Sequence, residues 1–243
     1  ISAEYGVYML EAGRISRVSD YREQCWNFYT YQPSSSRKML LLGTHDGLYE
    51  VSGGHMDKLW GDKTVYEIFH PTVSSSILLL GLTDGLHKLK YENGRFTDLG
   101  VLAEVSHNVR TMAEDESGQV WLGTFRNGVY RLTFGDDGTS VDQIRRYGED
   151  AGFGSLRNIN VFKYREEVLF ATEAGVYQYD KASERFSPHP AFQKSSGQRA
   201  HSVFAFDSDE NGEVWMSGLN NRKSPVVHGV PVDTAGFVWE SMP

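Results

Sequence analysis

Cysteine is nearly absent: Cys25 is the only one in 243 residues. An intramolecular disulfide and a cysteine-rich zinc site are therefore excluded. Proline is scarce as well, seven residues against 25 glycines. That ratio implies many tight turns and no proline-rich linker. No apolar run reaches the roughly 18 residues of a membrane span, and no charged-then-apolar stretch opens the chain as a signal peptide would. Basic residues are outnumbered, 24 Lys and Arg against 32 Asp and Glu, for a net charge of −8. Nonspecific nucleic-acid affinity comes from neutralising phosphates, so this balance argues against nucleic acid as a partner while leaving room for a local basic patch. The chain begins at Ile1 rather than at methionine, and is expected to be a piece of something longer.

Motifs for chemistry are missing too. There is no HExxH pair, no GxSxG elbow, and no GxxxxGKS or GxGxxG leading into a helix. The eight histidines (45, 55, 70, 87, 107, 189, 201 and 228) are scattered without close metal spacing, and Cys25 has no protease context. DSDENG at 207–212 opens like a calcium loop of the EF-hand type, but the twelfth position is Gly218, where a bidentate Glu is needed. The same place in another segment reads DESG, a plain hairpin turn. No metal and no cofactor are expected. The carboxylates fall mainly at turn positions, where solvation accounts for them, so the chain is expected to be non-catalytic.

What the chain does have is a repeat. VWLGTFRNGVYRL at 120–132 returns as LLLGTHDGLYEV at 40–51, LLLGLTDGLHKL at 78–89 and VLFATEAGVYQY at 168–179. Aligned on the first glycine or its equivalent, the anchors are Gly43, Gly81, Gly123, Ala171 and Ser217, at intervals of 38, 42, 48 and 46 residues. AEYGVYMLEAGRISRV at the start matches the second half of the unit. Each full unit reads as short strands: 109–113, 119–124 and 128–134 are divided by polar Gly-containing turns and followed by DQIRRY. Four strands about every 40 to 45 residues, with Gly and aromatic markers and no long 3.6-residue apolar period, predict propeller blades. The expected fold is all-β: a β-propeller, or part of one, of four-stranded antiparallel blades, with five full modules and a partial one in a single domain over 1–243. The glycines and aromatics of the motif are read as structural, the glycines allowing close backbone approach.

The spelling is more particular than this. Asp-x-x-Gly-x-Val-Trp-Leu-Gly-Thr-x-x-x-Gly-Val-Tyr-x-Leu at 115–132, DSDENGEVWMSG at 207–218 and SHNVRTMAED at 106–115 resemble the two-component-regulator propeller repeat. That repeat builds the periplasmic sensor regions of hybrid two-component histidine kinases of polysaccharide-degrading gut bacteria. The resemblance implies a periplasmic, non-catalytic sensor that binds an oligosaccharide or related small ligand. It further implies a possible homodimer through the full-length receptor, and membrane contact only through segments outside this chain. The sequence departs from the pattern in three places. The first unit lacks its first two strands, SPVVHGVPV replaces the Gly-Val-Tyr element of the last, and Tyr29-Thr30-Tyr31-Gln32-Pro33 stands where an acidic turn is usual.

Strand order sorts the loops by face. Turns between second and third strands bring His45, Asp46, Thr83, Asp84, Phe125, Arg126, Asn127, Glu173, Asn220, Asn221 and Arg222 to one mouth. The segments opening each blade add Trp26, His107, Asn108, Arg157, Asn158, Asn160, Arg199 and His201. Four arginines meet three carboxylates there, which suits an anionic or richly hydroxylated ligand, because Arg offers planar forked donors. The candidate ligand residues are Trp26, His45, His107, Asn108, Arg126, Arg157, Asn158, Arg199, His201 and Arg222. In the aromatic stretch CWNFYTYQP at 25–33, alternation groups Trp26, Phe28 and Thr30 on one face, and Tyr29 and Tyr31 on the other. Core packing is the ordinary role of such rings, with Trp26 the exception. Two alternatives remain: a propeller glycoside hydrolase or lyase, which needs two suitably spaced carboxylates, and a protein-interaction platform, which needs a large exposed apolar patch.

Overall fold

The computed structural model describes residues 2–3, 6–193, 203–218, 226–232 and 236–241. They form sheets in chain order. A partial sheet holds β1 (Ser2–Ala3), β2 (Gly6–Glu11) and β3 (Arg14–Arg17). The first full sheet is β4 (Cys25–Ser34), β5 (Arg37–Thr44), β6 (Gly47–Ser52) and β7 (His55–Trp60). The second is β8 (Val65–Phe69), β9 (Ile77–Leu82), β10 (Gly85–Glu92) and β11 (Arg95–Val101). The third is β12 (Val109–Glu114), β13 (Val120–Thr124), β14 (Val129–Phe134) and β15 (Val141–Tyr147). The fourth is β16 (Asn160–Tyr164), β17 (Glu167–Thr172), β18 (Gly175–Asp180) and β19 (Arg185–Pro188). The fifth is β20 (Val203–Ser208), β21 (Val214–Gly218), β22 (Val226–Pro231) and β23 (Phe237–Ser241).

Each sheet is a meander in which sequence neighbours are sheet neighbours. The architecture is all-β, five four-stranded antiparallel propeller blades and a partial sixth. Among the described residues, helix is limited to one turn at Pro190–Gln193 and a 3₁₀ turn at Glu149–Ala151. The chain divides into two compact units, residues 1–110 with 134–141, and residues 111–133 with 142–243.

Sheet faces pair because the strands are apolar on both sides. In the first unit, Met39 and Leu41 of β5 join Leu78, Leu80 and Leu82 of β9, with Tyr31, Val65 and Ile68, in one buried cluster. Leu42 points the other way and packs with Cys25 and Val7 against the partial sheet. In the second unit, Trp121 is buried against Tyr147, Phe170, Tyr179 and Phe186.

The motif's two glycines have separate reasons. A Cβ at Gly43 would sit 2.6 Å from the carbonyl oxygen of Val65, and one at Gly81 would sit 2.8 Å from that of Val109. The first glycine therefore admits the opening strand of the next sheet. The second, Gly47 or Gly85, has φ of +147° or +143° and faces the carbonyl of Trp60 or Val105, at the end of its own repeat. The threonine between them closes the turn: Thr44, Thr124 and Thr172 each place a hydroxyl 2.9, 2.7 and 3.1 Å from the carbonyl oxygen of Gly47, Gly128 and Gly175. Gly81→Ala is accordingly expected to destabilise the first unit by about 1–3 kcal/mol, since backbone rather than a flexible side chain must move. Urea unfolding measures it, and an unchanged midpoint would contradict the close-approach account.

Two sequence expectations are corrected. Tyr29–Pro33 is not a turn but lies inside β4. The hairpin tightens at Ser34 and Arg37, and an irregularity between Tyr31 and Ser34 accommodates Pro33. The opening unit has three strands, because Ser2 and Ala3 pair with Val7 and Gly6. The last sheet has the four strands expected of a full module even without Gly-Val-Tyr, with Val226–Pro231 pairing on both sides.

Candidate functional site

The first strands of successive sheets carry the same irregularity. Pairing of β4 with β5 skips between Cys25 and Asn27, and pairing of β8 with β9 skips between Val65 and Glu67. Trp26 and Tyr66 are left without cross-strand partners, and such bulges re-aim a side chain. Trp26 is 36% exposed. Its ring meets Tyr66 edge-on, with centroids 4.8 Å apart and planes at 72°. Arg110 occupies the matching place on β12: Val109 approaches Gly81 as Val65 approaches Gly43, and Arg110 follows Val109 as Tyr66 follows Val65. The Arg110 guanidinium lies 5.0 Å over the Tyr66 ring, and its Nε donates to Asn108 Oδ1 at 3.3 Å. Trp26, Tyr66, Arg110 and Asn108 thus form one row within the first unit.

The next residue on each strand adds a polar pair. Asn27 Nδ2 donates to Glu67 Oε1 at 3.3 Å, while Asn27 Oδ1 is buried without a hydrogen-bond partner. Burial pushes the Glu67 carboxyl up to about 8, because taking a carboxylate out of water disfavours its charged form. That push favours the neutral acid, and a neutral carboxyl can donate as well as accept. Chemically, the row offers two aromatic surfaces, one cation, and a polar pair with little charge. Aromatic faces take apolar C–H surface, and the guanidinium takes acceptor oxygens.

The other sequence candidates lie as follows. His45 is exposed in the turn before β6, where Thr64 donates to its carbonyl at 2.9 Å. His107 is exposed just before Asn108. Asp46 is taken up by structure, with the hydroxyls of Tyr21 and Tyr49 donating to it at 2.5 and 2.9 Å. Burial works against its charge, yet these hydrogen bonds, with one from Thr44, hold the carboxyl below its usual range. Asp84 pairs with Lys63 at 2.6 Å. In the second unit, the Arg126 guanidinium lies 4.9 Å over the neighbouring Phe125 ring. Asn158, with φ +50°, donates through its side chain to Glu173 at 3.0 Å and through its backbone N–H to the Phe125 carbonyl at 2.8 Å. Arg157 is exposed beside it, and Asn160 is buried, donating to the Val203 carbonyl at 2.8 Å. Arg199, His201, Asn220, Asn221 and Arg222 lie outside the described residues.

The face grouping of CWNFYTYQP holds for the core rings. Tyr29 and Tyr31 join one cluster, and Phe28 packs on the other side. The DSDENG stretch is a hairpin turn: Asp209 Oδ1 accepts from the N–H groups of Asn211 and Glu213 at 3.0 and 2.8 Å. Asp115 does the same for Ser117 and Gln119, at 2.8 and 3.2 Å.

Tyr66, Arg110, Asn27 and Glu67 were missed by the sequence reading. Trp26, Tyr66 and Arg110 stand 17, 15 and 13 residues before Gly43, Gly81 and Gly123. The varying hairpin between first and second strands hides their equivalence. Counting from the small apolar residue that opens each first strand would have exposed it.

Comparison with known proteins agrees with this architecture. Residues 104–126 match the family described as two component regulator propeller. No curated protein matches the chain. Among solved structures, the chain is similar to the extracellular domain of a putative hybrid two component system from B. thetaiotaomicron. The TM-score is 0.67 at 16% identity, over 88% of this chain and 27% of that one. It is also similar to virginiamycin B lyase from Staphylococcus aureus, with a TM-score of 0.60 at 11% identity, over 90% of this chain and 70% of the lyase. The chain therefore spans about a quarter of the length of that extracellular domain. Residues 104–126 thus match the two component regulator propeller family, within a chain whose described residues have the β-propeller fold.

Proposed function

We propose that this chain is a non-catalytic, ligand-sensing propeller segment from the extracytoplasmic, periplasmic part of a two-component receptor. In this reading its ligand is a carbohydrate that docks on Trp26, Tyr66 and Arg110. One observation carries the reading: backbone bulges in two consecutive sheets turn Trp26 and Tyr66 out of the ladder and against each other, with a cation stacked at the end of the row. His45, His107 and Asn108 are proposed as neighbouring contacts, and Arg126, Arg157, Asn158, Arg199, His201 and Arg222 as further ones. A homodimer formed through the remainder of the receptor, and membrane attachment through other segments, belong to the same reading.

The second reading is an enzyme, favoured by the fold's likeness to a lyase. Glu67 would be its acid. Yet glycosidic cleavage in the usual manner needs a second carboxylate across the substrate, and β4, β8 and β9 contain no acidic residue besides Glu67.

Titration with a panel of neutral and acidic oligosaccharides, followed by thermal shift and by product analysis, separates the two. Trp26→Ala and Arg110→Ala are each expected to weaken binding about thirtyfold, near 2 kcal/mol, as central aromatic and Arg contacts do. Undiminished affinity in both variants would remove the platform from consideration. Cleavage of the sugar would establish the enzyme instead.

A further inference from the structure

In three of the full sheets, one cross-strand pair beside the last hairpin is covered by the sheet before it. Val51 and Met56 pair in the first sheet and pack on the cluster that contains Val7 of the partial sheet. Tyr91 and Phe96 pair in the second and pack on Tyr31 of the first, at ring-centroid distances of 5.7 and 6.1 Å. Tyr179 and Phe186 pair in the fourth and pack on Trp121 of the third, at 4.8 and 6.0 Å. Leu10 and Ile15 are the corresponding pair of the partial sheet, next to its Glu11–Arg14 turn. They point away from the face on which Val7 packs, since positions three apart on a strand alternate. They are 58% and 66% exposed.

The fifth sheet leaves the opposite kind of face open. Val214, Met216, Val227, Phe237 and Trp239 pack with Tyr164 and Leu169 of the fourth sheet. Alternation turns Trp215, His228 and Val238 the other way. Trp215 holds the repeat place of Trp121, two residues before the anchor Ser217 or Gly123. Trp121 is buried under the next sheet's pair, whereas Trp215 is partly exposed and stacks only on its cross-strand partner His228. Val226 and Val238 on the same face are 41% and 54% exposed. Charge also differs between the two faces. Arg17, paired with Tyr8, lies with Leu10 and Ile15, and Glu240, paired with His228, lies with Trp215. One face lacks the sheet that should precede it, and the other lacks the sheet that should follow it.

We propose that two copies of this chain dock head-to-tail, the Leu10–Ile15 face of one copy against the Trp215–Val238 face of the other. The contact reproduces between copies the packing of Tyr179 and Phe186 on Trp121, with Arg17 set toward Glu240. The inference is independent of the carbohydrate reading. Different surfaces meet in such a contact, so each copy keeps one open face and assembly continues beyond a dimer until a ring closes or a filament grows.

Sedimentation velocity of the purified chain tests this, with wild type compared with Ile15→Glu and Val238→Glu. The wild-type average mass is expected to rise with concentration. Each variant is expected to weaken self-association by about a hundredfold or more, because a carboxylate would be buried without a partner. Both positions are exposed, so circular dichroism and thermal midpoints are expected to match wild type. Mixing the two variants is the decisive step. Each retains the face that the other has lost, so the mixture is expected to give a one-to-one dimer that grows no further. A wild-type chain that stays monomeric at every concentration overturns the second copy as occupant and leaves both faces to other sheets of the same repeat. Wild-type-like association of either variant alone, or two monomeric variants that fail to pair on mixing, overturns the head-to-tail contact.

Discussion

Raising the pH from about 5 to about 9 is expected to cost the first unit about 3 to 5 kcal/mol of stability, and Glu67→Gln is expected to abolish most of that loss. Burial holds the Glu67 carboxyl up at about 8 in the folded chain, whereas an unfolded chain ionises it near the ordinary Glu value of about 4.3. Between those values the folded state binds the proton and the unfolded state does not, so stability falls as pH rises. The contribution is fully present below the unfolded value and gone above the folded one. Groups that act in the opposite sense operate lower. Asp46, Asp84 and Asp98 are each held below the usual carboxylate range. Their contribution is present above the unfolded value and is lost as pH falls through the folded one. For Asp84 the hydrogen bond from Lys63 is the main cause; for Asp98 the indole of Trp60 and the backbone of Gly100 outweigh burial. A stability maximum on the acidic side of neutral follows. Thermal or urea unfolding across the pH range checks it, with about 2 to 4 °C per kcal/mol as the scale. Matching profiles for wild type and Glu67→Gln would show that the carboxyl is not held neutral.

The second large effect concerns Trp121. Trp121→Ala is expected to destabilise the second unit by about 3–5 kcal/mol, the range for removing a buried large aromatic. The ring is 1% exposed and touches Tyr147, Phe170, Tyr179 and Phe186 at centroid distances of 5.5, 5.1, 4.8 and 6.0 Å. Arg131 is also held by this cluster, its guanidinium 5.4 Å from the Trp121 ring and 5.6 Å from those of Tyr147 and Tyr179. Removing the indole opens a cavity and takes one aromatic face from a largely buried cation. Trp121→Phe keeps most of the packing but loses the bond from the indole Nε1 to Asp115 Oδ2, at 2.9 Å. It is expected to cost less, with about 1 kcal/mol from the hydrogen bond and the rest from lost volume. Denaturant unfolding of the two variants measures the split. Equal losses would mean that the hydrogen bond, rather than the packing, makes Trp121 indispensable.

That bond also explains a spelling in the repeat. Asp115 receives the N–H groups of Ser117 and Gln119 with one oxygen and the indole of Trp121 with the other. The Asp-x-x-Gly-x-Val-Trp string is therefore a turn and its own brace. In the last sheet Asp209 makes the same turn, while Trp215 stacks on His228 at 4.7 Å, and His228 in turn meets Glu213 at 2.8 Å. The same string serves two local networks, and the sequence does not distinguish them.

The repeat by itself determined the sheets. Gly-Thr followed by a short turn and Gly specifies a hairpin by local means: one glycine with positive φ, one threonine hydroxyl on a carbonyl, and apolar residues on both faces. These are short-range constraints, so the number, order and approximate bounds of strands in the full sheets were legible, including the third sheet almost residue for residue. Trp26 was also legible as the unusual ring, because its neighbours in CWNFYTYQP had core roles to fill. Only the tertiary structure decided what Trp26 stands beside. Tyr66 and Arg110 are 40 and 84 residues further along, and each reaches the row because a bulge or a close glycine contact sets one sheet against the next. The upward push of burial on the Glu67 carboxyl was likewise invisible in the string Val-Tyr-Glu. Desolvation depends on everything packed around a carboxyl, and no local spacing reports it.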